Sequence, residues 1–299
     1  MMKRILLASA SAMALTGGAF AADLTPPAPP PVFVPPPPTW TGFYVGINAG
    51  YEWAANKNID TTAIPVFAAP TWETELALSS ALATGSAGVN QNGFIGGGQI
   101  GYNFQYGGTR LVVGLEADIQ GIAGNNAVGG FAGSGVPVGF PGETIVSAVQ
   151  SNKSLDYLGT VRGRIGYLLT PTLLIFGDGG LAYGSVNAST SIWQDNEPFL
   201  PTFGSFGRFS NTQVGWTVGG GVEWQFMPNW SVKVEYLYYD LGRKTFGLTP
   251  LAFSSPTFGG SLLYSSTPFS STTFNGNVVR AGLNYHFNWG WPAPIVARY

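Results

Sequence analysis

The stretch Phe43-Tyr44-Val45-Gly46-Ile47-Asn48-Ala49-Gly50-Tyr51-Glu52-Trp53 alternates without a break. One parity carries Phe43, Val45, Ile47, Ala49, Tyr51 and Trp53; the other carries Tyr44, Gly46, Asn48, Gly50 and Glu52. Successive side chains of a strand point to opposite faces, so this is a strand with one apolar wall and one small or polar wall. The segment from Val214 to Phe226 repeats the pattern. Val214, Trp216, Val218, Val222, Trp224 and Phe226 share one face, and Thr217, Glu223 and Gln225 lie on the other. A soluble strand would bury its apolar row and wet its polar one. Here the apolar row carries large aromatics, while the opposite row mixes glycines with isolated charges. That is the pattern of a barrel wall with lipid outside and a small polar interior.

Composition narrows the class. Charged residues make up 9% of the chain and hydrophobic ones 45%, with 43 glycines and no cysteine. The net charge of −2 argues against a nucleic-acid surface. The absence of cysteine removes disulfides, thiolate catalysis and the common structural zinc sites. Lys3 and Arg4 precede the apolar run Ile5 to Leu15, and small residues then lead to Ala19-Phe20-Ala21. This order marks residues 1–21 as a cleaved secretory signal, because the run is too short to span a bilayer. The proline-rich segment within residues 22–39 reads as an extended periplasmic spacer. No later apolar run reaches the ~18 residues of a helical span, which leaves a closed β-barrel as the way to cross a membrane.

Eight strands are expected, and the connections between them set the topology. After the first strand come Gly93 to Gln105, a third from Leu111, a fourth through Leu155, Tyr157, Gly159 and Val161, and a fifth from Leu173. The sixth is the tryptophan-bearing segment, the seventh starts at Val232, and the last ends at Phe287. Links after the second, fourth and sixth strands are a few residues long. Those at 55–92, 122–153, 187–211 and 243–276 run to tens of residues. The expectation is an all-β, eight-stranded antiparallel transmembrane barrel over residues 40–287, with short periplasmic turns and four long external loops. Extension of strands into the loops makes ten the alternative count. Both termini then lie on the periplasmic side of the cell outer membrane, with residues 288–299 as a periplasmic tail. Trp40, Phe43, Phe104, Tyr106, Tyr167, Phe226, Trp230, Tyr285 and Phe287 would form the inner girdle, and Tyr51, Trp53, Phe94, Tyr183, Trp216 and Tyr238 the outer one.

Several motifs carry a family resemblance. Trp40-Thr41-Gly42-Phe43-Tyr44-Val45-Gly46 follows a signal and a proline-rich spacer. Further on come Val161-Arg162-Gly163-Arg164-Ile165-Gly166-Tyr167, Gly179-Gly180-Leu181-Ala182-Tyr183-Gly184 and Val232-Lys233-Val234-Glu235-Tyr236-Leu237-Tyr238. The set closes with Val279-Arg280-Ala281-Gly282-Leu283-Asn284-Tyr285-His286-Phe287. Together they resemble the alphaproteobacterial outer-membrane immunogenic proteins, also described as opacity-type or porin-family β-barrels. The resemblance spans residues 40–287 and implies an integral barrel served by the barrel-assembly machinery. For activity it implies less, since the family includes surface antigens, proposed haemin binders and proteins named porins by homology. Such barrels usually end on their last aromatic residue. Here either Asn284 to Phe287 acts as an internal assembly signal, or Tyr299 takes that part.

The inward parity collects Glu52, Glu116, Asp118, Asp178, Glu223 and Glu235 against Arg162, Arg164, Lys233 and Arg280. Arg162 and Arg164 should face Glu116 and Asp118 on the neighbouring strand. An eight-stranded barrel is only wide enough for side chains to fill, which favours a lumen plugged by paired charges. The alternative is a small-solute porin with these charges at its constriction. His286, the only histidine, is expected at the periplasmic end near Glu223 or Glu235. That is the wrong end for chemistry on outer-leaflet lipid, and no nucleophile signature accompanies it, so no enzyme activity is expected. No cofactor or metal is expected either. Haemin binding by the external loops, the weaker alternative, would rest on tyrosines such as Tyr264. The role expected is structural and surface-exposed, antigen- or adhesion-like. Its partners would be outer-membrane lipid, lipopolysaccharide and, through the loops, host or other cell surfaces. The uncharged stretch Thr249 to Phe274 fits either a contact surface or a loop shielded by sugars.

Overall fold

The computed structural model describes residues 39–124 and 126–287. The signal, nearly all of the spacer and the tail after Phe287 lie outside the described residues. In chain order the elements are β1 (Gly42–Ala54), β2 (Asn58–Ala68), α1 (Glu73–Leu82), β3 (Gly85–Gly88), β4 (Asn92–Gln105), β5 (Leu111–Ala123) and β6 (Ala127–Gly135). Then follow β7 (Thr144–Thr170), β8 (Leu173–Glu197), β9 (Phe199–Met227), β10 (Trp230–Gly247), β11 (Leu251–Ser254) and β12 (Leu262–Phe287).

Eight of these strands close a ring in the order β1-β4-β5-β7-β8-β9-β10-β12. β12 returns antiparallel to β1, from Phe43 opposite Phe287 to Ala54 opposite Gly276, so the ring has no open edge. The outward row of the ring exposes Ile47 (67%), Phe94 (72%), Leu115 (66%) and Val214 (67%). A continuous apolar wall of this kind is stable only against lipid.

Only short turns join β4 to β5, β7 to β8 and β9 to β10, all at one end of the ring. At the other end the strands run on. β7, β8, β9 and β12 have 27, 25, 29 and 26 residues, against the roughly 9–11 that cross a bilayer. Three of the four long connections anticipated as loops are therefore largely ladder. β8 and β9 stay paired almost to the hairpin at Pro198, and β2, β3, β6 and β11 add to the extension. These segments are rich in Ser, Thr, Asn and Gly on their outer face, so the apolar alternation that reveals a lipid-facing strand is missing. The first connection also holds α1, Glu73 to Leu82, whose Ala, Leu and Glu content favours helix. Glu73 and Glu75 in its first turn suit the positive end of the helix dipole.

A β-bulge resets β7. Leu155 pairs with Val186 and Leu158 with Gly184, so Asp156 and Tyr157 together oppose Ser185 alone. The bulge corrects the expected face: Leu155 points inward and is buried, while Tyr157 stays on the outer wall. Beyond it the parity is reversed, which carries Lys153 inside and Asn152 outside.

Candidate functional site in the barrel interior

The inward rows of the ring meet in three layers. At the short-turn end Trp40, Val112, Leu168, Leu174 and Phe176 form a buried apolar cluster. Trp40 was expected in a girdle facing lipid. Instead it is 1% exposed, folds under the ring and donates its indole Nε1–H to the Pro171 carbonyl at 3.0 Å. It lies before the first strand, where strand parity says nothing about direction. At the other end Leu155, Leu158, Ala182, Val186, Leu237, Phe274 and Val278 fill the interior.

Between them sit the charges. Arg162 is opposite Glu116 in the β5–β7 ladder, and Arg164 is opposite Gly114. The Arg162 guanidinium is fully buried. Its Nη2 reaches Glu116 Oε1 at 2.5 Å and Asp118 Oδ2 at 2.9 Å, while Nη1 reaches Asp178 and, across the lumen, Glu235 Oε1 at 3.0 Å. Arg280 Nη2 binds Asp118 Oδ2 at 2.8 Å and Glu235 Oε1 at 2.6 Å, and its Nη1 donates to Gln120. Lys233 Nζ spans Glu116 Oε1 at 2.6 Å and Glu235 Oε2 at 2.8 Å. Arg164 is directed toward the short-turn end, with Nη2 2.9 Å from Glu223 Oε2 and its guanidinium 4.0 Å above the Phe176 ring. Burying so many charges is tolerable only because each has partners of opposite sign.

Neutral groups on the same inward rows complete the layer, and reading only for charges missed them. Tyr44 donates to Glu116 Oε2 at 2.6 Å, and Thr160 to Asp118 Oδ2 at 2.8 Å. Ser231 and Asn284 both donate to Glu223 Oε1, at 2.6 and 2.8 Å. Their parity relative to Glu116 and Glu223 was the available signal. His286 Nε2 lies 3.4 Å from Glu223 Oε1 and 2.8 Å from Ser231 Oγ, and its ring contacts Trp40 and Tyr44. Glu52 stands apart from the cluster, one layer toward the extended end, and accepts from Tyr239 at 2.5 Å.

Lys153 caps this arrangement from above. It lies four residues beyond Tyr157, outside the lipid-facing band, and donates to the carbonyls of Asn56 (3.1 Å) and Thr273 (2.6 Å) with its ammonium 4.8 Å over the Phe274 ring. Burial pushes it down to about 8, against the opposing pull of the Glu52 carboxylate. Higher still, α1 sits within the extension. Ser79 donates to Gln194 Oε1 at 2.6 Å, and Gln194 Nε2 returns a bond to the Ser79 carbonyl at 2.8 Å. Trp72, Phe253, Leu263 and Tyr264 pack together beside it. Tyr264, the residue considered for haemin, is fully buried there and donates no open face. Among the described residues, no group of three or more His, Asp and Glu is arranged to hold a metal ion.

Comparison with known proteins agrees with this architecture. The family described as outer membrane protein beta-barrel domain matches residues 6–287. The 31 kDa outer-membrane immunogenic protein of Brucella melitensis is 34% identical over 288 residues, covering 96% of this chain and all of that one. The 22 kDa outer membrane protein of Rhizobium leguminosarum is 31% identical over 172 residues, 57% of this chain and 64% of the relative. Among solved structures, the outer membrane protease OmpT of Escherichia coli aligns at a TM-score of 0.38 with 12% identity, over 83% of this chain and 98% of its own. With the closed ring and its lipid-facing wall, the full-length match makes this chain a member of the outer-membrane β-barrel protein family, related to the outer-membrane immunogenic proteins.

Proposed function

We propose that this outer-membrane protein is a closed barrel, non-conducting and non-enzymatic, whose role is structural and whose extended end is presented outside the cell. The observation that carries the reading is Arg162, fully buried, in contact with Glu116, Asp118, Asp178 and Glu235 from three other strands. A buried guanidinium held by carboxylates of β5, β8 and β10 supports a lumen filled at that level. The apolar cluster around Trp40 supports closure at one end, and the packed interior beneath α1 supports it at the other. The strands beyond the lipid band supply the surface that an antigen- or adhesion-like role needs.

Planar-bilayer conductance of the refolded chain tests this directly, with Arg162→Ala, Arg164→Ala alongside. A silent wild type that still shows heat-modifiable mobility supports the closed barrel. Discrete, reproducible channels in the wild type, altered by the variant, would make it a small-solute porin instead.

A further inference from the structure

The outer wall changes character just above the lipid band. Read across β7, β8 and β9, the outward rows begin with Val161, Leu181 and Trp216, then Gly159, Tyr183 and Val214. Above these come Asp156 with Ser185 and Thr212, then Ser154, Asn187 and Ser210, then Asn152, Ser189 and Arg208. Four residues of β8 separate Leu181 from Ser185, roughly 13 Å along a strand. Ser185 lies twelve residues beyond Leu173 at the short-turn end, past the roughly 9–11 strand residues that cross a bilayer, so the polar rows start at the upper edge of the lipid band.

Of these, Asn152, Ser154, Asp156, Asn187, Ser189, Arg208 and Ser210 line a concavity of about 590 Å³ on the outer face, flanked by the exposed ring of Phe206. The polar groups are organised into a chain. Ser210 Oγ donates to Asn187 Oδ1 at 2.6 Å, and Asn187 Nδ2 donates to Asp156 Oδ2 at 2.9 Å. Ser185 Oγ donates to the same carboxylate oxygen at 3.2 Å, and Asp156 itself is exposed, with both of these bonds on Oδ2. The bulge is what places Asp156 here, since without it the residue would face the interior. Arg208, on the rim, has no ion-pair partner among the described residues.

We infer that this concavity is a saccharide-binding site for the core sugars of lipopolysaccharide in the surrounding leaflet. A carboxylate and an amide held in register suit the paired hydroxyls of a pyranose ring, and Phe206 offers an apolar face. The unpaired guanidinium of Arg208 suits a phosphate or carboxylate on the same sugar. Because the site opens sideways at the lipid edge, its occupant is a molecule standing in the membrane beside the barrel. The inference rests on the extended end facing outward and is independent of whether the lumen conducts.

The full chain, refolded in detergent micelles, is titrated calorimetrically with purified rough-type lipopolysaccharide and, separately, with lipid A lacking the core. Asp156→Ala, Arg208→Ala should bind the lipopolysaccharide about tenfold more weakly than the wild type and bind lipid A equally well. Asn187→Leu serves as a second variant should the first fail to fold, with heat-modifiable mobility as the folding control. Unchanged affinity for lipopolysaccharide in a folded variant would overturn the inference. So would an equal loss for lipid A, or complete competition by inorganic phosphate, which would leave only an anion contact at Arg208. Conductance of the same variant should match the wild type, which separates this test from that of the closed lumen.

Discussion

Arg162 on β7 and Glu235 on β10 stand three strands apart in the ring, yet Nη1 and Oε1 meet at 3.0 Å. The contact crosses the lumen and ties β7 to β10; on the proposed closed-barrel reading these charges fill the passage rather than line it. Removing Arg162 leaves four buried carboxylates short of a partner. Arg162→Ala should therefore cost about 3–5 kcal/mol, and Arg162→Lys should recover only part of it, because an ammonium lacks the planar fork. Urea titration in vesicles, read by heat-modifiable mobility, measures both. An unchanged midpoint for Arg162→Ala would mean that water, not the protein, neutralises these carboxylates.

Trp40 packs the short-turn end of the barrel. Its ring joins Val112, Leu168, Leu174 and Phe176 and meets His286 edge-on at 5.7 Å. Trp40→Ala should destabilise the barrel by about 3–5 kcal/mol through the cavity it leaves. Trp40→Phe should keep the apolar filling but lose the bond to Pro171, at a cost of about 1 kcal/mol. Thermal midpoints of the two variants in detergent should fall in that order. Equal midpoints would assign the effect to the hydrogen bond alone.

Which parts of this molecule could be read from its sequence follows from the period of two. Wherever lipid faces one side, as from Phe43 to Trp53, alternation fixes both the strand and its direction. The lumen residues Glu116, Arg162 and Glu235 could be assigned to the interior on that ground. Three things escaped it. Trp40 lies outside any strand, so no parity orients it. The bulge at Asp156–Tyr157 inverts the faces above it, and thus Lys153 could not be recognised as an interior residue. The extensions of β8 and β9 face water with Ser, Asn and Thr, and lose the apolar row that marks a strand. Ladder pairing there follows from neighbours far apart in sequence, which no local pattern records.

Glycines in the ring divide by what stands opposite them. A Cβ on Gly180 would lie 2.1 Å from the Val161 carbonyl oxygen and 2.8 Å from the Arg162 Cα, whereas one on Gly163 would meet nothing nearer than 4.0 Å. Gly180→Ala should therefore cost about 1–3 kcal/mol by forcing β7 and β8 apart beside Arg162. Gly163→Ala should be neutral or stabilising by about 0.5–1 kcal/mol, since glycine in a strand interior carries an entropic cost. Unfolding midpoints in micelles compare them. A loss at Gly163 as large as at Gly180 would show that close approach is not what selects glycine here.

Lys153 should give the molecule a pH dependence whose sign follows from its burial. Burial holds its ammonium down to about 8, below the 10.5 of the unfolded chain. Below pH 8 both states are protonated and the fold bears the full cost of the buried charge. Between about 8 and 10.5 the unfolded state holds more protons than the folded one, so stability rises with pH, by on the order of 3 kcal/mol across the window. Lys153→Met, which keeps the stem against Phe274 and removes the charge, should abolish that rise and be more stable than the wild type at pH 7.5. Thermal midpoints of both proteins, taken in steps from pH 7.5 to 10.5, test this. A wild-type midpoint that falls across the window while the variant's stays level would mean that the two carbonyl bonds outweigh the burial of the charge.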